Sequence, residues 1–190
     1  MAQLDRALGY GPRGWGFESS WAHQNREFVI ITEDERWMKL ALQEAEAAFQ
    51  EGEIPVGAVV VCKGRVVGRG HNQVELLNDP TAHAEIIALG AAATAMQSWR
   101  LCDCDLYVSL EPCPMCAGAA VQARLRRLVF GASNPEAGAC GSLWNIVQDQ
   151  RLEHQVELTS GVLRTECERI LRSFFGKLRQ AKKKERCLSG

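Results

Sequence analysis

Helical and alternating patterns of apolar residues set in at residue 32. Residues 1–29 carry neither pattern and are punctuated by Gly9, Gly11, Pro12, Gly14 and Gly16, so they read as disordered. Thr32 followed by Glu35 is a capping box, and Trp37, Leu40, Ala41, Ala45 and Ala48 then recur at helical spacing, ending near Glu51 and Gly52. The apolar run 56–62 predicts a buried strand, Lys63 and Gly64 a hairpin turn, and 65–72 its antiparallel partner. A loop through Asn78, Asp79 and Pro80 leads to a helix over 83–95, rich in Ala, Ile and Leu. Residues 105–110 predict a central strand that Pro112 stops. A helix over 115–123, a short strand over 127–130 and a glycine-containing loop over 133–142 follow. A last strand over 155–159 precedes a long amphipathic helix over 164–184. Helices alternating with strands predict an α/β sandwich with helices on both faces of one sheet, a single domain over 30–190 with no internal repeat.

Composition narrows the class without naming a function. Of 190 residues, 46% are hydrophobic and 24% charged, a globular balance that excludes a wholly disordered chain. No apolar run reaches eighteen residues, and no apolar stretch is followed by a small-residue cleavage site, so neither a membrane span nor a secretory signal is expected. The eight cysteines then fit the reducing cytoplasm, as core thiols or metal ligands. The net charge of −1 hides an asymmetry: residues 164–190 hold nine Lys or Arg against three Glu. Such a basic tail fits a polyanionic partner, and equally a solvated helix end.

Candidate chemistry lies in two pieces, His83-Ala84-Glu85 at one predicted helix start and Pro112-Cys113-Pro114-Met115-Cys116 at another. One imidazole and two thiolates are the number of protein ligands a catalytic zinc takes when a fourth position is kept for water. Cys113 and Cys116 stand three apart at a helix N-terminus, where the dipole and Pro114 in the first turn favour thiolates. His83 and Glu85, two apart, share no helix face, so both serve one site only if it lies off the helix end. Zinc lowers the pKa of a bound water towards 7, and Glu85 is placed to carry that proton to a ring nitrogen and a leaving amine. The rival is a four-cysteine knuckle of Cys102, Cys104, Cys113 and Cys116. A strand over 105–110 rising about 3.3 Å per residue sets Cys104 and Cys113 on the order of 20–30 Å apart, which disfavours it. Cys62, Cys102, Cys104, Cys140 and Cys167 are expected as small buried hydrophobes.

The H-x-E…P-C-x-x-C pattern is the one used by zinc base deaminases. With its flanking runs, 53–58 (EIPVGA), 79–85 (DPTAHAE), 110–119 (LEPCPMCAGA) and 130–142 (FGA before GACGS), the chain closely resembles the bacterial tRNA-specific adenosine deaminases of the cytidine-deaminase superfamily. The likeness runs from about Thr32 to Arg179. The resemblance implies a three-layer α/β/α sandwich with a five-stranded mixed sheet, a homodimer, and one zinc per subunit on His83, Cys113 and Cys116. It implies Glu85 as the catalytic proton shuttle and substrate contacts at Asn72, Val56, Leu110, Ala84 and Phe175. It also implies that the C-terminal helix, carrying Phe174 and Phe175, packs on the domain and approaches the anticodon region of a tRNA. Unaided, Asn72 at a strand end reads as a turn residue, and the two rings read as core. One departure stands out. After Phe130 the family carries a basic residue, then Asp, then Lys, where this chain has Ser133, Asn134 and Glu136.

Three functions fit these residues. Wobble-adenosine deamination accounts for the metal motif, its flanks and the basic tail. A free-base or mononucleotide deaminase needs the same zinc without a polyanion surface, and a non-catalytic zinc-bearing RNA-binding module needs no Glu85. Outside the resemblance, Gly16-Phe17-Glu18-Ser19 is what GGG TTC GAA TCC encodes, a string typical of a tRNA gene. Residues 1–29 are therefore expected to be either a disordered extension or a reading frame opened too far upstream. In the second case a start near Val29 is expected, since starting at Met38 would delete the Thr32–Glu35 cap.

Overall fold

The computed structural model describes residues 31–188; the expectations for 1–29 lie outside the described residues. The elements are α1 Glu33–Gln50, β1 Gly57–Cys62, β2 Arg65–His71, α2 Val74–Leu77, α3 Ala84–Met96, β3 Cys104–Leu110, α4 Pro114–Gln122, β4 Arg127–Ala132, β5 Glu157–Ser160 and α5 Arg164–Leu188. The capping box forms as expected: Thr32 Oγ1 accepts from the Glu35 amide at 3.2 Å and Glu35 Oε2 accepts from the Thr32 amide at 2.8 Å. Lys63 and Gly64 both take positive φ, 48° and 74°, as a two-residue hairpin requires.

The sheet order is β2-β1-β3-β4-β5, with β1 antiparallel to β2 and β3, β3 parallel to β4, and β4 parallel to β5. Both faces are covered. On one, Ala58 and Val60 of β1, Leu106 and Val108 of β3, and Leu128 and Phe130 of β4 pack against Ala84, Ala88 and Ala92 of α3 and Ala117 and Ala120 of α4. The alternate residues Val59, Val61, Tyr107 and Val129 pack against Trp37, Met38 and Ala41 of α1 and Cys167 of α5. The period-two alternation thus feeds two cores, and the fold is the expected three-layer α/β/α sandwich on a five-stranded mixed sheet. Met38, fully buried, contributes about 1.5–3 kcal/mol.

Helix α3 rests on β2 at two glycines. A Cβ at Gly68 would stand 2.2 Å from the Ala88 carbonyl oxygen, and one at Gly70 2.6 Å from that of Ala84. Backbone meets backbone there, and the first turn of α3 is held against β2. Because β3 ends where α4 begins, and α3 runs back along the sheet to enter β3, the starts of α3 and α4 meet at the C-terminal end of β3. Open α/β sheets place their ligand sites at that end.

Two expectations change. The segment after β2 contains a four-residue helix, α2, too short to show a period. Cys102 is exposed, because it lies in the turn before β3 rather than on the strand, while Cys62, Cys104, Cys140 and Cys167 are buried as expected.

Candidate metal centre and its pocket

His83 and Cys113 are the N-cap residues of α3 and α4, and neither makes a side-chain cap hydrogen bond. Positions that usually carry Ser, Thr, Asp or Asn to close the first turn here leave their side chains free. Cys116 follows one turn into α4, fully buried. Their ligand atoms converge: His83 Nδ1 lies 3.7 Å from Cys113 Sγ and 3.5 Å from Cys116 Sγ, and all three lie within 4.8 Å of one another. Among the described residues this is the one group of three or more His, Cys, Asp or Glu placed to hold a metal. Cys104 opens β3 while Cys113 follows its far end, so the four-cysteine knuckle does not form.

The electrostatics are those of a charged cluster. The Cys116 thiol donates to Cys113, and with His83 beside it this holds Cys113 down at about 4, as a thiolate. The same hydrogen bond, with burial, pushes Cys116 up. The contact with Cys113 raises His83. Burial pushes the Glu85 carboxyl up to about 7.

A pocket of about 290 Å³ opens beside the cluster. His83, Glu85 and Cys113 line it together with Asn72, Val56 and Leu110, so those three expected contacts share one cavity with the candidate ligands. Two expected contacts do not. Ala84 is fully buried and packs its methyl into the core under α3, which leaves only its backbone near the site. Phe175 lies on α5 outside the pocket, 40% exposed, edge-on to Phe174, and only Phe174 is core. The helical period puts adjacent rings on different faces, and the outer one meets solvent.

A family model described as MafB19-like deaminase matches residues 32–179. A tRNA-specific adenosine deaminase of Haemophilus influenzae is 50% identical over 156 residues, covering 82% of this chain and 90% of the relative. One from Bacillus subtilis is 47% identical over 156 residues, covering 82% and 97%. The chain belongs to the tRNA-specific adenosine deaminases. A solved structure from work on A-to-I editing by tRNA:A34 deaminases at the wobble position matches with a TM-score of 0.69 at 44% identity, covering 72% of this chain and 99% of that one.

Two buried carboxylates of this deaminase were not foreseen as part of the site, and both line the pocket. Glu53 is 2% exposed and accepts from Asn72 Nδ2 at 2.9 Å and from the Leu76 amide at 2.8 Å. Glu111, also 2% exposed, is the knot of the 133–142 loop. Its Oε1 accepts from the amides of Cys140 at 3.1 Å and Ser142 at 2.9 Å, and its Oε2 from the Asn134 amide at 2.9 Å and the Ser142 hydroxyl. The available signal was a charged residue abutting an apolar run: Glu53 just before β1 and Glu111 just after β3. The residues that depart from the family's pattern serve the same loop. Asn134 Oδ1 accepts from the amides of Glu136 and Ala137, and Ser133 Oγ accepts from Arg164 Nη2 at 3.2 Å.

Proposed function

We propose that this deaminase hydrolyses the wobble adenosine of a tRNA to inosine, with one zinc per subunit held by His83, Cys113 and Cys116. The observation that carries it is a single pocket lined by Glu85, His83, Cys113 and Asn72. Zinc fits the donors: Zn–S near 2.3 Å and Zn–N near 2.0–2.1 Å at tetrahedral angles set S···N separations of about 3.6 Å. The separations of 3.7 and 3.5 Å found here agree. When bound, zinc makes a water molecule acidic enough to lose a proton near neutral pH.

The chain's own residues do the rest. Glu85, its carboxyl raised to about 7 by burial, takes the water's proton and passes it to N1 of the base as the water oxygen bonds to C6. It then takes the proton of the new C6 hydroxyl and delivers it to the departing amine, the C6–N6 bond breaks, and ammonia leaves as the C6–O bond becomes the carbonyl of inosine. A ring inside a helix cannot reach this depth, so the base enters extruded, against Asn72, Val56 and Leu110.

The reading takes residues 30–190 as one deaminase domain working in the cytoplasm as a homodimer. Ile86, Ala93, Trp99 and Ala119 line an open groove along α3 and α4, with Trp99 56% exposed, a surface suited to a second copy. No helix among the described residues is long and apolar enough to cross a membrane. On α5, Arg179, Lys183 and Lys184 are exposed, supporting contact with RNA phosphates. The test is inosine formation in an anticodon stem-loop carrying a wobble adenosine, run beside guanine, cytosine and cytidine. Inosine from the stem-loop alone is expected; ammonia from a free base with no inosine would replace the reading by a free-base deaminase.

A further inference from the structure

Asn72 and Glu53 meet at the pocket wall, and the chemistry of the pair is asymmetric. A carboxylate offers only acceptors, whereas an amide offers an oxygen that accepts and a nitrogen that donates. With Oε2 of Glu53 facing Asn72 at 2.9 Å, the amide must turn Nδ2 towards it. The other carboxylate oxygen is taken by the Leu76 amide, an orphan donor in the first turn of α2 that Gln73 does not cap. Glu53 is thus anchored from both sides. Asn72 Oδ1 takes no hydrogen bond from any described residue, and no described side-chain oxygen or nitrogen is both sealed from solvent and unpartnered. Asn72 is 7% exposed and lines the pocket, so Oδ1 opens into that cavity.

We infer that Glu53 is a positioning residue of the deamination site. By fixing the amide of Asn72 it sets how Oδ1 and the second N–H of Nδ2 are presented to the base. The inference rests on the adenosine deaminase reading above. Glu53 also holds α2, which brings Val74 and Glu75 to the same wall. An amide left free to turn over would exchange its oxygen and nitrogen at the wall, at a site where misplacement by about 1 Å can cost a hundredfold in rate.

The test is a double-mutant cycle on single-turnover deamination of the wobble-adenosine stem-loop by the full-length zinc-loaded protein. In Glu53→Gln one acceptor oxygen remains. If it keeps the Leu76 amide, the new amide nitrogen faces Asn72 and turns its amide over. Glu53→Gln should slow the chemical step by on the order of tenfold to a hundredfold, with KM and zinc content close to wild type. Placed on Asn72→Ala, the same change should cost no more than about twofold further, because its route runs through Asn72. Equal losses in the two backgrounds, or a Glu53→Gln enzyme within about twofold of wild type, would overturn the positioning role. If Glu53→Gln does not fold, Glu53→Asp keeps both acceptors but shortens the reach, and the same cycle decides with the same two outcomes. Wild-type protein that forms no inosine would instead bring down the deaminase reading, and the inference with it.

Discussion

Glu111 is where a single atom's change in polarity should be felt across a whole loop. In Glu111→Gln the retained oxygen can still serve the Cys140 and Ser142 amides, while the new amide nitrogen faces the Asn134 N–H, donor against donor. The Ser142 hydroxyl can rotate to accept, but the backbone amide cannot. One backbone donor against a buried side chain therefore loses its partner, at about 1–3 kcal/mol, and the charge assistance of the other bonds is lost as well. For a domain of this size 1 kcal/mol moves the melting temperature by about 2–4 °C, so Glu111→Gln should melt about 2–12 °C lower. Glu111→Ala, which strands every donor of the knot, should fall further. Thermal unfolding at fixed zinc concentration measures this, and hydrogen exchange at Asn134 locates it. A melting temperature within about 2 °C of wild type, with Asn134 still protected, would show that the loop holds itself and that the knot is incidental.

Other expectations are as concrete. Ala in place of His83, Cys113 or Cys116 should strip zinc and abolish activity, while Cys104→Ser keeps full metal by elemental analysis; loss of zinc in Cys104→Ser would revive the knuckle. Glu85→Gln should retain zinc and RNA binding yet turn over about 10²–10⁴-fold slower, and a rate within tenfold of wild type would remove it from proton transfer. Truncation after Gly176 should flatten the dependence of log affinity on log salt by about 0.7 for each phosphate no longer neutralised, at unchanged zinc content. An unaltered slope would leave the tail a solvated helix end. Asp34 is held below the usual carboxylate range, chiefly by its hydrogen bonds from Arg127 at 2.9 and 2.7 Å, with Tyr107 adding a third. Its folded pKa is depressed, so the stability it contributes is complete above the ordinary carboxylate pKa and is lost as pH falls through the lowered value. Asp34→Asn should therefore flatten the acid limb of the melting curve below the ordinary carboxylate range.

Much of this arrangement was legible because local chemistry and global packing agree. The Thr32–Glu35 cap, the Lys63–Gly64 turn and the alternation through β1, β3 and β4 each point to the element that forms. The spacing of His83 and Glu85 requires a site off a helix end, and the pocket lies there. What escaped notice has physical reasons too. Four residues of α2 are fewer than one hydrophobic period. Glu53 and Glu111 are charged residues whose burial depends on backbone amides 23 to 31 positions away, and no local pattern encodes such partners. Cys102 faces solvent because it sits in the turn before β3, and Phe175 because helical phase, which residue type does not reveal, turns it outward.

The glycines of β2 set a tolerance. Where side chains separate two elements, a substitution anywhere in the layer lets them drift closer or further apart. Under the first turn of α3 there is no such padding: Gly70 lets the Ala84 and Ala88 backbones rest directly on the strand. The height of His83 above the sheet is thus referenced to peptide planes, the stiffest parts available, much as a machined part is located on a bare datum face. Repacking the alanine-rich layer further along α3 should move Met96 far more than it moves His83.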